Sequence, residues 1–127
     1  MHGARHKRRY ASALAVGLGV AMLLPAAAGR TADAPSDSGV AVGKALATER
    51  GKGNCLACHA MDDGELPGNL GPPLLAMKLR FPDREALVEQ VCDATIRNPD
   101  SRMPPFCRHG ILTEQEVQSI VDYLYTL

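Results

Sequence analysis

The chain has 127 residues, 22% of them charged and 4% aromatic, with no Trp, two Phe and three Tyr. That length allows one domain, and so few aromatics leave thin material for a core built from side chains alone. Lys+Arg and Asp+Glu stand at 14 each, which excludes the basic excess of a nucleic-acid binder.

The first element is not part of the fold. His2 to Arg9 is basic, Ala11 to Leu24 is uncharged and mostly apolar, and Pro25-Ala26-Ala27-Ala28 supplies small residues. That layout predicts a secretory signal peptide over residues 1–28, cut before Gly29, with Ala32-x-Ala34 as a second cleavage site. The apolar stretch is shorter than the roughly 18–20 residues of a spanning helix. The expected location is therefore the periplasm, with no membrane span after processing. Without the leader, ten Lys+Arg face fourteen Asp+Glu, a net charge of −4.

Residues 29–38 are small and polar and read as a flexible N-terminus, ahead of a single domain over 39–127. Ser36, Asp37 or Ser38 suits the cap of a helix running to about Arg50. In it Val42, Ala45, Leu46 and Glu49 share one side, and Gly43 offers a point of close approach for another helix.

Gly51-Lys52-Gly53 ends that helix and leads into Asn54-Cys55-Leu56-Ala57-Cys58-His59. C-x-x-C-H is the signature of covalent haem attachment. Each thiol, Cys55 and Cys58, adds to a haem vinyl group, and His59 is held against one face of the iron. A zinc half-site would need a second ligand pair, which the sequence lacks. A thioredoxin-like pair would need a preceding strand, and no strand pattern leads to Gly53. One covalently held haem c would supply the core that the aromatics do not.

Residues 60–73 carry turn signals in quick succession, Asp62-Asp63-Gly64, Pro67-Gly68-Asn69 and Gly71-Pro72-Pro73. This loop is expected to wrap the haem, with Pro72 or Pro73 giving a backbone carbonyl to the His59 nitrogen that faces away from iron. Pro73 and Leu74 are expected to pack on the haem, and Leu74, Leu75, Met77 and Leu79 to form a short helical turn over the ring. Pro82, Asp83 and Glu85 open the next helix, with Leu87, Val88, Val91, Cys92 and Thr95 as its stripe and Asn98-Pro99 as its end. Thr113 to Glu116 forms a capping box. Val117, Ile120, Val121 and Leu124 then recur at helical spacing. No segment alternates with period two, so the expected fold is all-α, three to four helices around one haem.

The second axial position calls for a partner. Met61 is too close to His59 along the chain, Met77 reads as core packing, and His109 reads as a solvated loop residue. Met103 sits before Pro104 and Pro105, which stiffen its loop, and is the favoured ligand. His59/Met103 ligation raises the reduction potential and leaves no open site, which indicates electron transfer rather than chemistry at iron. Cys92 and Cys107 remain. A bridge between them would close a loop worth roughly 3 kcal/mol. The alternatives are a buried Cys92 beside a separately exposed Cys107, and a reactive thiol.

The haem motif, the ligand loop and the terminal helices resemble a class I cytochrome c. More particular are Glu65-Leu-Pro-Gly-Asn-Leu-Gly-Pro-Pro-Leu74, Met103-Pro-Pro-Phe106, Arg108-His109, Ile111-Leu-Thr-Glu114 and Val121-Asp-Tyr-Leu-Tyr-Thr-Leu127. With the motif they resemble SoxX, the monohaem subunit of SoxAX cytochromes, from about Gly43 to Leu127. That resemblance implies a heterodimer with a SoxA-like dihaem or monohaem subunit, which carries the catalytic haem of an L-cysteine S-thiosulfotransferase. It implies that thiosulfate is oxidatively joined to a cysteine of the SoxYZ carrier, and that this chain accepts the electrons and passes them to a small soluble cytochrome c. No catalytic residue is then expected on this chain. Cys107 stands where the family is expected to have Gly. The alternative is a free-standing periplasmic cytochrome c shuttle to a terminal oxidase.

Overall fold

The structure, a computed structural model, describes residues 36–127. The signal peptide expected over 1–28, and most of the N-terminal stretch expected to be flexible, lie outside the described residues. Four α-helices follow in order: α1 (Asp37–Thr48), α2 (Met77–Arg80), α3 (Arg84–Cys92) and α4 (Glu114–Leu124), with short 3₁₀ turns at Cys55–Ala57 and Ala94–Ile96. Among the described residues there is no strand. The all-α expectation holds.

α1 starts inside the stretch read as flexible, because the Ser36 hydroxyl accepts the Gly39 N–H and caps it. Its buried residues are Gly43 and Ala47, whereas Val42 is 51% exposed and Ala45 is exposed. The expected stripe through Val42 and Ala45 is thus displaced by the demands of a close crossing. A Cβ on Gly43 would lie 1.9 Å from the carbonyl oxygen of Ser119 and 3.0 Å from the Cβ of Tyr123. Only a residue without a side chain lets the two backbones meet there.

α4 follows its sequence pattern closely. Thr113 caps the Glu116 N–H while the Glu116 carboxylate accepts the Thr113 N–H at 2.8 Å, a complete capping box. Val117, Ile120, Val121 and Leu124 are all buried. With Ala47, Leu87, Val91 and Phe106 they form one apolar core. α3 lies against α4 as well, and Arg84 donates to the Gln118 carbonyl at 3.2 Å and pairs with Asp122.

Two expected elements end differently. α3 is capped by Asp83, one residue after Pro82, and stops at Cys92. Asp93 then turns its carboxylate onto the Thr95 N–H and starts the short Ala94–Ile96 turn, so Thr95 is not on the α3 stripe. α2 is a single turn in which Met77 is buried, while Leu75 and Leu79 are 59% and 84% exposed. Of the apolar run 74–79, only Leu74 and Met77 face inward.

Candidate haem site

The tight passage from α1 to the motif is fixed by backbone bonds. Gly53 donates to the Leu46 carbonyl at 3.0 Å, and Asn54 donates to Glu49 at 3.1 Å from a left-handed conformation, φ 45°. Asn tolerates that region better than most side chains. Cys55–Ala57 then forms its short turn, and His59 donates its N–H to the Cys55 carbonyl at 2.9 Å. These turns present Cys55, Cys58 and His59 to one cavity of about 860 Å³.

The loop after the motif doubles back along it. Gly68 donates to Leu56, Gly71 to Cys58 and Leu74 to Ala60, each at 2.8 Å. This strap carries the carbonyl oxygen of Pro72 to 2.7 Å from His59 Nδ1. A carbonyl can only accept, so Nδ1 carries the proton and Nε2 keeps the lone pair that a metal needs. The strap lies so close that a Cβ on Gly71 would meet His59 Cε1 at 2.2 Å. Gly71 is a positioning residue that the turn signals did not distinguish from its neighbours. Arg80, also missed, donates to the Pro73 carbonyl at 2.8 Å and to Met77 Sδ at 3.4 Å, so one guanidinium ties α2 to the strap.

Pro72 and Leu74 line the cavity and Pro73 does not, although Pro72 and Pro73 are both exposed. Of the two residues expected to pack on the haem, Leu74 is thus on the cavity wall and Pro73 is not. Met103, half-buried, lines the same cavity, as does the buried Met77. Met61 is buried in the core away from it, and His109 is exposed outside it. Met77 and Met103 are therefore the methionines on the cavity wall, and Met77 Sδ already takes a hydrogen bond from a cation. Cys92 and Cys107 are joined by a disulfide with their Cα atoms 5.0 Å apart.

The residues present fit a haem. The cavity volume falls within the roughly 300–1,000 Å³ of ligand sites. Its wall includes Phe81, Leu87, Val91, Phe106, Ile120 and Leu124, apolar side chains suited to a macrocycle. Cys55 and Cys58 are not bridged to each other. Burial pushes the Cys55 thiol up to about 11, the reverse of the lowered value that a thioredoxin-like exchange pair requires. Among the described residues no three His, Cys, Asp or Glu side chains gather as a zinc site would need.

Comparison with known proteins agrees with this geometry. A curated protein of Aquifex aeolicus (strain VF5), named only as an uncharacterized lipoprotein, is 37% identical over 86 residues, 65% of this chain and 42% of its own length. The chain thus spans about two fifths of that relative. The family model for cytochrome c oxidase, cbb3-type, subunit III matches residues 39–124, nearly the whole described region. Among the described residues, four helices without strands, a C-x-x-C-H turn and an apolar cavity behind it make a class I cytochrome c-like fold. The chain belongs to the cbb3-type cytochrome c oxidase subunit III family and is a c-type cytochrome domain, whose haem c is covalently bound and whose work is electron transfer.

Proposed function

We propose that this chain is a periplasmic electron-transfer subunit of the SoxX kind, holding one haem. Cys55 and Cys58 would hold the haem through thioethers, His59 Nε2 and Met103 Sδ would hold its iron, and the Pro72 carbonyl fixes the His59 tautomer. When bound, the haem supplies one-electron exchange. With both residues on the iron, oxygen and substrate would find no open position, and the apolar cavity wall would limit water. The partner in this reading is a SoxA-like cytochrome, which joins thiosulfate to a SoxYZ cysteine and hands the electrons to this chain. They leave to a small soluble cytochrome c.

The observation that carries this reading is the surface of residues 66–79, the segment that forms the strap and α2. Leu66 is 97%, Leu70 73%, Leu75 59% and Leu79 84% exposed, and Leu70 also lines the cavity. Four exposed leucines on one segment beside the cavity suit a subunit contact.

The test is purification of the tagged protein from its native periplasm, with haem staining. A larger c-type cytochrome in equal amount, and haem reduction by thiosulfate only when the carrier protein is added, supports the subunit reading. A monomer reduced only by other cytochromes contradicts it. A second reading has its own support, since the matched family is named for a terminal oxidase and the Aquifex relative for a lipoprotein. In that reading the domain carries electrons to an oxidase, either free or as part of a tethered protein.

A further inference from the structure

The segment from Cys92 to Cys107 forms one side of the haem cavity, contributing Asn98, Asp100, Ser101, Arg102, Met103 and Phe106 to its lining. Ahead of Met103 its backbone bonds are local: Ile96 to Asp93, Asn98 to Ala94 and Ser101 to Asn98; after Met103 the Pro105 carbonyl accepts from His109 and the Phe106 carbonyl from Ile111 and Leu112. The Met103 N–H is satisfied by the Ser101 hydroxyl at 3.2 Å. Among the described residues, no backbone N–H between 97 and 104 donates outside this loop. What closes it is concentrated at its neck. There the Cys92–Cys107 bridge spans 15 positions, the Cys107 N–H donates to the Cys92 carbonyl at 3.0 Å, and Arg108 reaches Asp93 at 3.5 Å and Thr95 at 3.3 Å. Elsewhere the loop is fastened by buried Pro105 and Phe106 and by Arg97 lying 6.0 Å from the Phe81 ring centre.

From this arrangement we propose that the Cys92–Cys107 disulfide is a lock on the sixth iron ligand. Both cysteines position Met103 without touching the haem, and opening the bridge releases the methionine sulfur from the iron. The one ion pair at the neck, Arg108 with Asp93, has its guanidinium largely in solvent and is weak on its own, so the covalent link is the main tie between the two ends of the loop. Opening requires a dithiol donor. The Sγ–Sγ bond breaks, the donor gives two electrons and two protons, Cys92 and Cys107 each become thiols, and the donor closes to its own disulfide. Neither cysteine is fully buried, so such a donor has access. With the bridge closed the domain is an electron carrier. With it open, the iron accepts small external ligands.

The inference rests on Met103 being the iron ligand, and the experiment separates the two claims. The ferric holoprotein is examined for the long-wavelength charge-transfer absorption of methionine-bound iron, and the ferrous form for carbon monoxide uptake at neutral pH. Four proteins are compared. They are the parent, M103A, the C92S/C107S variant, and parent protein opened with a phosphine, alkylated at both thiols and returned to the ferric state with ferricyanide. Helix content by circular dichroism accompanies each.

The expected result is loss of the band and at least tenfold faster carbon monoxide uptake in M103A, in C92S/C107S and in the opened parent, with helix content unchanged. A band that persists in M103A overturns the ligand assignment, and with it the lock. A band lost in M103A but retained in the opened parent overturns the lock alone. Should C92S/C107S fail to fold, the opened parent gives the same readout on a chain that folded with its bridge closed.

Discussion

Gly43→Ala should destabilise the domain by about 2 kcal/mol, although the same change favours an isolated helix by roughly 1 kcal/mol. The new methyl would sit 1.9 Å from the Ser119 carbonyl oxygen and 2.6 Å from its carbonyl carbon. Carbon–oxygen contacts settle near 3.3 Å, so α1 must move off α4 by about 1.4 Å. The atoms in the way are backbone and cannot turn aside. A gap of 0.5–1 Å already forfeits a quarter to a half of each dispersion contact, and this crossing covers Ala47, Val117, Ile120, Val121 and Tyr123, each at most 2% exposed. Overpacking of this kind costs on the order of 3 kcal/mol, which outweighs the propensity gain. Thermal unfolding of the haem-loaded protein, followed by circular dichroism, should show a Tm lower by roughly 8–16 °C. Val42→Ala, at a position 51% exposed, is the control and should stay within about 0.5 kcal/mol of the parent. A Gly43→Ala protein as stable as the parent would refute the close crossing.

Gly71→Ala should disturb the site rather than the fold, since the added Cβ lies 2.5 Å from His59 Nδ1. Holoprotein yield should fall several-fold with helix content retained, and an unchanged yield counts against the strap holding the imidazole. Met103→Ala should let the ferrous holoprotein bind carbon monoxide at neutral pH where the parent does not; equal binding by both would remove Met103 from the iron. Stability should also fall in acid through Glu116, whose carboxyl the Lys52 ammonium and the Thr113 cap hold below its ordinary 4.5. The folded state binds that proton less readily than the unfolded, so the contribution is complete above 4.5 and disappears as pH falls through the lowered value. Glu116→Gln should flatten the stability profile between pH 5 and 3 in urea titrations, and an unchanged slope would show the pair to be idle.

Much of the site could be read from residues alone because covalent haem chemistry needs an unusual local spacing. Cys55, Cys58 and His59 lie within five positions, and the Pro72 carbonyl was expected because an axial His needs its other nitrogen occupied. The Thr113–Glu116 box and the α4 stripe were legible for a similar reason, since caps and a 3.6-residue period are local signals. The face of α1 was legible only in part. Gly43 was read as a point of close approach and is one, but the apolar stripe through Val42 and Ala45 is exposed, because the buried side is made of Gly43 and Ala47, small residues that carry no hydrophobic period. The run 74–79 misled because six residues rich in Leu do not say which side is covered. Asp93 ended α3 early by capping the next turn, a competition between side chain and helix that periodicity does not register. Spacing alone left Cys92 and Cys107 open, since only the fold brings their Cα atoms to 5.0 Å.

The measurement that bears most directly on the site is peptide mapping by mass spectrometry of the protein produced in a host that matures c-type cytochromes. Under denaturing conditions one haem should remain on a single peptide containing Cys55 and Cys58, with neither thiol open to alkylation. Free, alkylatable thiols at both positions, on a chain whose mass carries no haem, would contradict the assignment of this cavity.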